Sequence, residues 1–194
     1  GGSVINATIA MYAHATLRRR NDNRIRIYSH DFRCTVEAEN LASLGSEGEL
    51  ALIKSVVRLI QPAYGFDLDV SADFPVGSGL GGSAVVSSAI IGCFNEFRSD
   101  RWDRHEIAEM AFQAERLMLN IPGGWQDQYA TVFGGFHHME VSSEQNTNMP
   151  LRPPPNILAA VEEEPVPLYT RSNNACGVGQ SDQQEQHYTP THVA

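Results

Sequence analysis

The stretch Pro75-Val76-Gly77-Ser78-Gly79-Leu80-Gly81-Gly82-Ser83-Ala84 decides how this chain is read. Four glycines stand in the six positions from Gly77 to Gly82, and the loop opens straight into the apolar segment Ala84 to Phe97. Glycine admits positive φ and lets a ligand come close to the main chain. The first amides of a helix have no internal partner and sit at the positive end of its dipole. A glycine loop feeding such a terminus is an anion site, with phosphate its usual occupant. The plainer reading is a glycine-rich turn ahead of a core helix.

Three phosphate loops compete for these residues. The GxxxxGK[ST] form is excluded, because no lysine follows the glycines and Lys54 is the only lysine in the chain. The dinucleotide form GxGxxG is met approximately by Gly77-Ser78-Gly79-Leu80-Gly81-Gly82, with Asp100 and Asp103 about 20 residues further on. The segment after those aspartates has a helical pattern, not that of a second strand. The third form is P-x-x-x-G-L-G-S-S-A, the phosphate loop of the galactokinase, homoserine kinase, mevalonate kinase and phosphomevalonate kinase (GHMP) superfamily. Residues 75–84 resemble it at every defined position but one, where Gly82 replaces the first serine.

Outward from the loop, Val4 to Leu17 is rich in small and β-type residues and stops at Arg18-Arg19-Arg20. Asn21-Asp22-Asn23 supplies a turn, Arg24 to Tyr28 alternates with period two, and Phe32 to Glu37 reads as a further strand. Glu49 to Ile60 has helical spacing, with Leu50, Ile53, Val57 and Ile60 on one face. Phe66 to Val70 alternates and leads into the loop. Helical segments Ser83 to Phe97 and Arg104 to Leu119 follow, and Gly134 to Val141 reads as a closing strand. Strands first and helices later predict an α+β sandwich, not a doubly wound sheet. From about residue 142 the character changes: seven of the ten prolines lie from Pro150 onward. Residues 143–194 are expected to be an extended or disordered Pro/Gln-rich linker, or the start of a second domain, after a domain spanning 1–142.

Composition narrows the partners. A net charge of −9 argues against nucleic acid and suits an ordinary enzyme. Cys34, Cys93 and Cys176 are too few and scattered for a disulfide framework or a zinc site, which fits a reducing cytoplasm. No secretory signal and no apolar run of about 18 residues is seen, so no membrane partner is expected. The first methionine is Met11, and residues 4–17 already read as mid-fold β structure, so the chain is expected to lack its true N-terminus.

Two carboxylates stand out. On a helical projection Glu115 falls within an apolar stripe of Ala108, Ala111, Phe112, Met118 and Leu119, with Glu106, Glu109, Gln113 and Arg116 opposite. A buried carboxylate is costly unless a cation, a metal or hydrogen bonds satisfy it. It reads either as a structural ion pair or, beside a phosphate loop, as a magnesium ligand. Asp127 follows the sharp turn Pro122-Gly123-Gly124 and reads either as an N-cap for Gln128 to Phe133 or as a reactive group. One serine hydroxyl and two carboxylates suffice for a magnesium-assisted phosphoryl transfer.

Ala114-Glu115, Gly123-Gly124-x-Gln126-Asp127-Gln128-Tyr129-Ala130 and Phe133-Gly134-Gly135-Phe136 together resemble the sugar-kinase branch of the GHMP superfamily. They are most like the D-glycero-D-manno-heptose 7-phosphate kinases. The opening Gly1 to Ile9 is similar to the strand after that family's first motif, so the resemblance covers roughly residues 1–142. It is fainter from Leu151-Arg152-Pro153 to Tyr169-Thr170, in the link toward a C-terminal domain. It implies an N-terminal ATP-binding domain with a ribosomal-protein-like β-sheet and helices packed on one face. It also implies ATP and magnesium, with the backbone from Gly79 to Ser83 holding phosphates. Ser83 becomes a magnesium-side hydroxyl, Glu115 the metal carboxylate, and Asp127 the group that activates the sugar hydroxyl. The implied reaction moves the ATP γ-phosphate to the anomeric hydroxyl of the heptose 7-phosphate. A fucose- or galactose-type kinase and a non-catalytic remnant are the alternatives. Two residues depart from the pattern: Gly82, and Trp125 where heptose kinases commonly have lysine. The family's first and third glycine-rich motifs have no counterpart, Gly177-Val178-Gly179 being too short.

Overall fold

The computed structural model describes residues 2–141 and 146–163. The β-rich opening is two strands, β1 (Gly2–Ala7) and β2 (Ala13–Arg19), which join different sheets. Each end of the connection between them is tied to a different partner. Thr8 exchanges bonds with Gly135, and the Tyr12 amide donates to the Asp73 carboxylate. Hydrophobic pattern alone carries no sign of that switch. β3 (Ile25–Ser29) and β4 (Cys34–Ala38) form an antiparallel hairpin, and α1 (Ala51–Ile60) leads to β5 (Phe66–Ala72). One sheet has the order β2-β5-β3-β4, with β3 and β5 parallel.

On β3 and β5 alternate residues point the same way, and Ile25, Ile27, Phe66, Leu68 and Val70 are all buried. They meet Ile53, Val56 and Val57 of α1 and Ile90, Ile91 and Phe94 of α2 (Gly82–Asn95). Phe94 stands edge-on to Phe66 with ring centroids 5.0 Å apart. The fold is therefore α+β with helices on one face of this sheet, and its core directly supports the helix that the glycine loop opens.

α3 (Arg104–Phe112) starts at a capping box, in which Asp103 accepts from the Glu106 amide and Glu106 accepts from the Asp103 amide. The sequence predicts α-helix through Leu119, but Gln113–Leu117 is a π-turn. The wider turn rotates everything after it. Arg116 goes inside at 8% exposure, while Leu117 and Met118 face out at 69% and 43%. This reverses the projected sides of Arg116 and Met118. α4 (Gln126–Phe133) then leads to β6 (Phe136–Val141), which lies between β1 and β7 (Asn146–Leu151) in an antiparallel second sheet. α5 (Pro155–Glu163) follows.

After residue 142, where the sequence reads an extended or disordered linker or the start of a second domain, residues 155–163 form the helix α5. Its proline comes at the first helical position, where no amide is needed, and Leu158, Ala159 and Ala160 favour helix. Cys176, Tyr169-Thr170 and Gly177-Val178-Gly179 lie outside the described residues. Among those described, no helix is long and apolar enough to cross a membrane.

One buried hydroxyl ties the core to the π-turn: Ser55 Oγ of α1 donates to the Ala114 carbonyl at 2.8 Å. Replacing Ser55 by Ala removes that hydrogen bond, which should cost about 1 kcal/mol. Urea unfolding of Ser55→Ala should show a lower midpoint at unchanged slope.

Candidate active site

The loop takes its shape from glycine. Gly77, Gly79 and Gly81 have φ of 76°, 74° and 70°, a region that strains any residue with a side chain. Gly81 precedes the first turn of α2 and no side chain caps that end. Its first amides thus face the loop, at the positive end of the helix dipole. A Cβ on Gly79 would meet nothing within 4 Å, whereas one on Gly82 would lie 2.7 Å from Phe74 Cε2. The departure at Gly82 therefore has a steric partner, since the Phe74 ring occupies the space a serine side chain needs.

Ser83, one residue into α2, donates from Oγ to Glu115 Oε1 at 2.6 Å. Gln128 Nε2 of α4 donates to the other carboxylate oxygen at 2.8 Å. Arg116 Nη1 stands 3.5 Å from Glu115 Oε1. Glu115, 3% exposed, is thus satisfied by three side chains from three segments. Asp127 sits in the first turn of α4, where Trp125 is the capping residue, so the N-cap reading of Asp127 does not hold. Its carboxyl carbon lies 3.4 Å from where a Gly81 Cβ would be, directly against the loop. Arg116 Nη2 is 4.0 Å from Asp127 Oδ2. Ser83, Glu115 and Asp127 come together, and Gly81 is the point of contact with the loop.

Burial pushes the Asp127 carboxyl above its ordinary range; Arg116 pulls it down, and the nearby Glu115 charge adds to the rise. Burial wins because 4.0 Å is too long for a direct hydrogen bond. Among the described residues no three His, Cys, Asp or Glu side chains gather as a metal cluster. Ser83 Oγ and Glu115 Oε1 still offer two hard oxygens side by side. Magnesium commonly takes one or two protein oxygens and fills the rest with phosphate and water, so this donor set fits it.

The sequence missed Arg116, Gln128 and Phe74. Arg116 is hidden by the π-turn, which has no periodic signature. Gln128 flanks Asp127 in a conspicuous polar run, and that was its available signal. Trp125 stacks on Phe112 with centroids 4.3 Å apart and planes at 10°, holding α4 to α3.

Residues 51–135 match the model for the GHMP kinases N terminal domain. This chain carries a GHMP kinase N-terminal domain. The chain is 38% identical over 175 residues to the D-glycero-alpha-D-manno-heptose 7-phosphate kinase of Campylobacter jejuni, covering 87% of this chain and 52% of that protein. A solved D-glycero-D-manno-heptose 1-phosphate kinase from Bacteroides thetaiotaomicron has a TM-score of 0.75 at 34% identity. That match covers 84% of this chain and 55% of the other. Lactococcus lactis galactokinase, solved with galactose, has a TM-score of 0.69 at 22% identity, covering 78% and 42%, a likeness of fold alone. The chain spans about half the length of the curated heptose kinase it matches.

The raised Asp127 pKa has a stability consequence. The folded protein holds the Asp127 proton more tightly than the unfolded chain, so stability falls as pH rises from 3.8 through the raised value. Asp127→Asn removes that loss. Thermal melts should show Asp127→Asn as stable as the parent, or more so, at pH 7, with the advantage gone below pH 3.8.

Proposed function

We propose that this site transfers the γ-phosphoryl group of ATP to a sugar hydroxyl, the acceptor being D-glycero-D-manno-heptose 7-phosphate at its anomeric position. The observation that carries the reading is the convergence of Ser83, Glu115 and Asp127 on the N-terminus of α2, with Asp127 against Gly81. The amides from Gly79 to Ser83 hold the phosphates, which accounts for a loop without lysine. Pro75, Gly77, Ser78, Leu80, Gly82 and Ala84 complete the cradle. Ser83 and Glu115 would hold magnesium, which neutralises charge on the phosphates.

Asp127 orients the attacking hydroxyl and accepts its proton. The sugar oxygen forms a bond to the γ-phosphorus, the bond from that phosphorus to the β–γ bridging oxygen breaks, and ADP leaves. Such a transition state asks little covalent chemistry of the protein, so position and charge dominate. Burial raises the proton affinity of the Asp127 carboxylate, which favours its role as acceptor. The similarity to a heptose 7-phosphate kinase supports the acceptor. A phosphorylated sugar and ATP as small-molecule substrates fit a cytoplasmic enzyme.

Phosphoryl transfer by the protein expressed from its complete reading frame tests this, with the heptose 7-phosphate, fucose and galactose as acceptors. Asp127→Asn should lower kcat by about a hundredfold or more and leave the KM for ATP nearly unchanged. Turnover on a neutral sugar but not on the heptose phosphate would overturn the acceptor. Full activity in Asp127→Asn would overturn the role of the aspartate.

A further inference from the structure

Arg116 is a cation almost withdrawn from water, with its side chain 6% exposed. A buried charge is costly unless it is paired and hydrogen-bonded. Its Nη1 donates to the Pro122 carbonyl at 2.7 Å, and its charge partners are Glu115 and Asp127. Nε is buried and has no partner among the described residues. The next residue in the turn is shaped around the guanidinium: Gly123 has a φ of 151°, and a Cβ there would collide with Arg116. One planar group therefore touches the π-turn carboxylate, the turn that precedes α4 and, at longer range, the first turn of α4.

We propose that Arg116 is a positioning residue, whose guanidinium ties the Pro122–Gly124 turn to Glu115 and so sets where the Asp127 carboxylate stands over Gly81. Arg116 acts through the turn and not on substrate, since its side chain is buried and its hydrogen bond goes to the Pro122 carbonyl. The orientation depends on the guanidinium fork, which a lysine ammonium lacks. Gly123 belongs to the same device, because any side chain there displaces the fork. The catalytic consequence rests on the phosphoryl-transfer reading; the tie itself does not.

The test compares Arg116→Met, Arg116→Lys and Gly123→Ala in the protein expressed from its complete reading frame. Amide hydrogen exchange over residues 122–128 should speed up about tenfold or more in Arg116→Met and Gly123→Ala, with β3 and β5 unchanged. In the same variants kcat should fall by about tenfold to a hundredfold, the size expected when a reacting group is misplaced, while the KM for ATP stays close to the parent value. Arg116→Lys should not restore kcat. The double variant should be little worse than either single one, because both disturb one contact. Gly123→Ala retains the arginine while pushing its fork aside, so it reports on the tie even where Arg116→Met folds poorly. Unchanged exchange over 122–128 overturns the proposal, whether or not turnover is seen. Raised exchange with kcat unaltered, or full recovery by Arg116→Lys, overturns it as well. A parent protein that phosphorylates no sugar would defeat the functional reading, and the exchange data would then judge the tie on their own.

Discussion

The Glu115 carboxylate has to be satisfied from inside the protein, and much of the site's geometry follows from how that is done. Its two oxygens take hydrogen bonds from Ser83 of α2 and Gln128 of α4, and Arg116 supplies the opposite charge. The loop-bearing helix, the π-turn and the helix that carries Asp127 are thereby drawn to one point. An unpaired buried carboxylate would cost far more than any of these hydrogen bonds contributes singly. The arrangement is thus held by the penalty of breaking it more than by the gain from each contact.

Backbone shape does the rest. The π-turn brings Arg116 inward beside Glu115, whereas a regular helix projects Arg116 to the side opposite the apolar stripe. The Ser55 hydroxyl anchors that irregular turn to α1, and α1 and α2 rest on the buried faces of β3 and β5. Glycine supplies the matching concave surfaces: Gly81 lets Asp127 approach the loop, Gly82 accepts the Phe74 ring, and Gly123 accepts the Arg116 guanidinium. Fold stability and site geometry therefore share residues.

The loop from Pro75 to Ala84 and the carboxylates Glu115 and Asp127 were legible because each breaks a local pattern: dense glycine, a charge in an apolar stripe, an aspartate after a sharp turn. The α+β class was legible from period-two and helical spacings. Arg116 was not, because projecting a regular helix puts it on the solvent side and nothing in composition signals the extra residue of a π-turn. The break between β1 and β2 was hidden for a similar reason, as pairing with Gly135 and Asp73 is set by residues far along the chain. β7 and α5 were obscured by prolines, which at Pro150 and Pro155 begin or edge an element and do not interrupt it.

Calorimetric titration with MgATP tests most directly whether the glycine loop is a phosphate cradle made of backbone. The comparison is between the protein and Gly79→Val. Space is open around Gly79, so valine acts by forcing the backbone away from a φ of 74° and not by collision. The parent should bind MgATP, and Gly79→Val, folded by circular dichroism, should not. Equal binding by both proteins would contradict a cradle built from backbone amides.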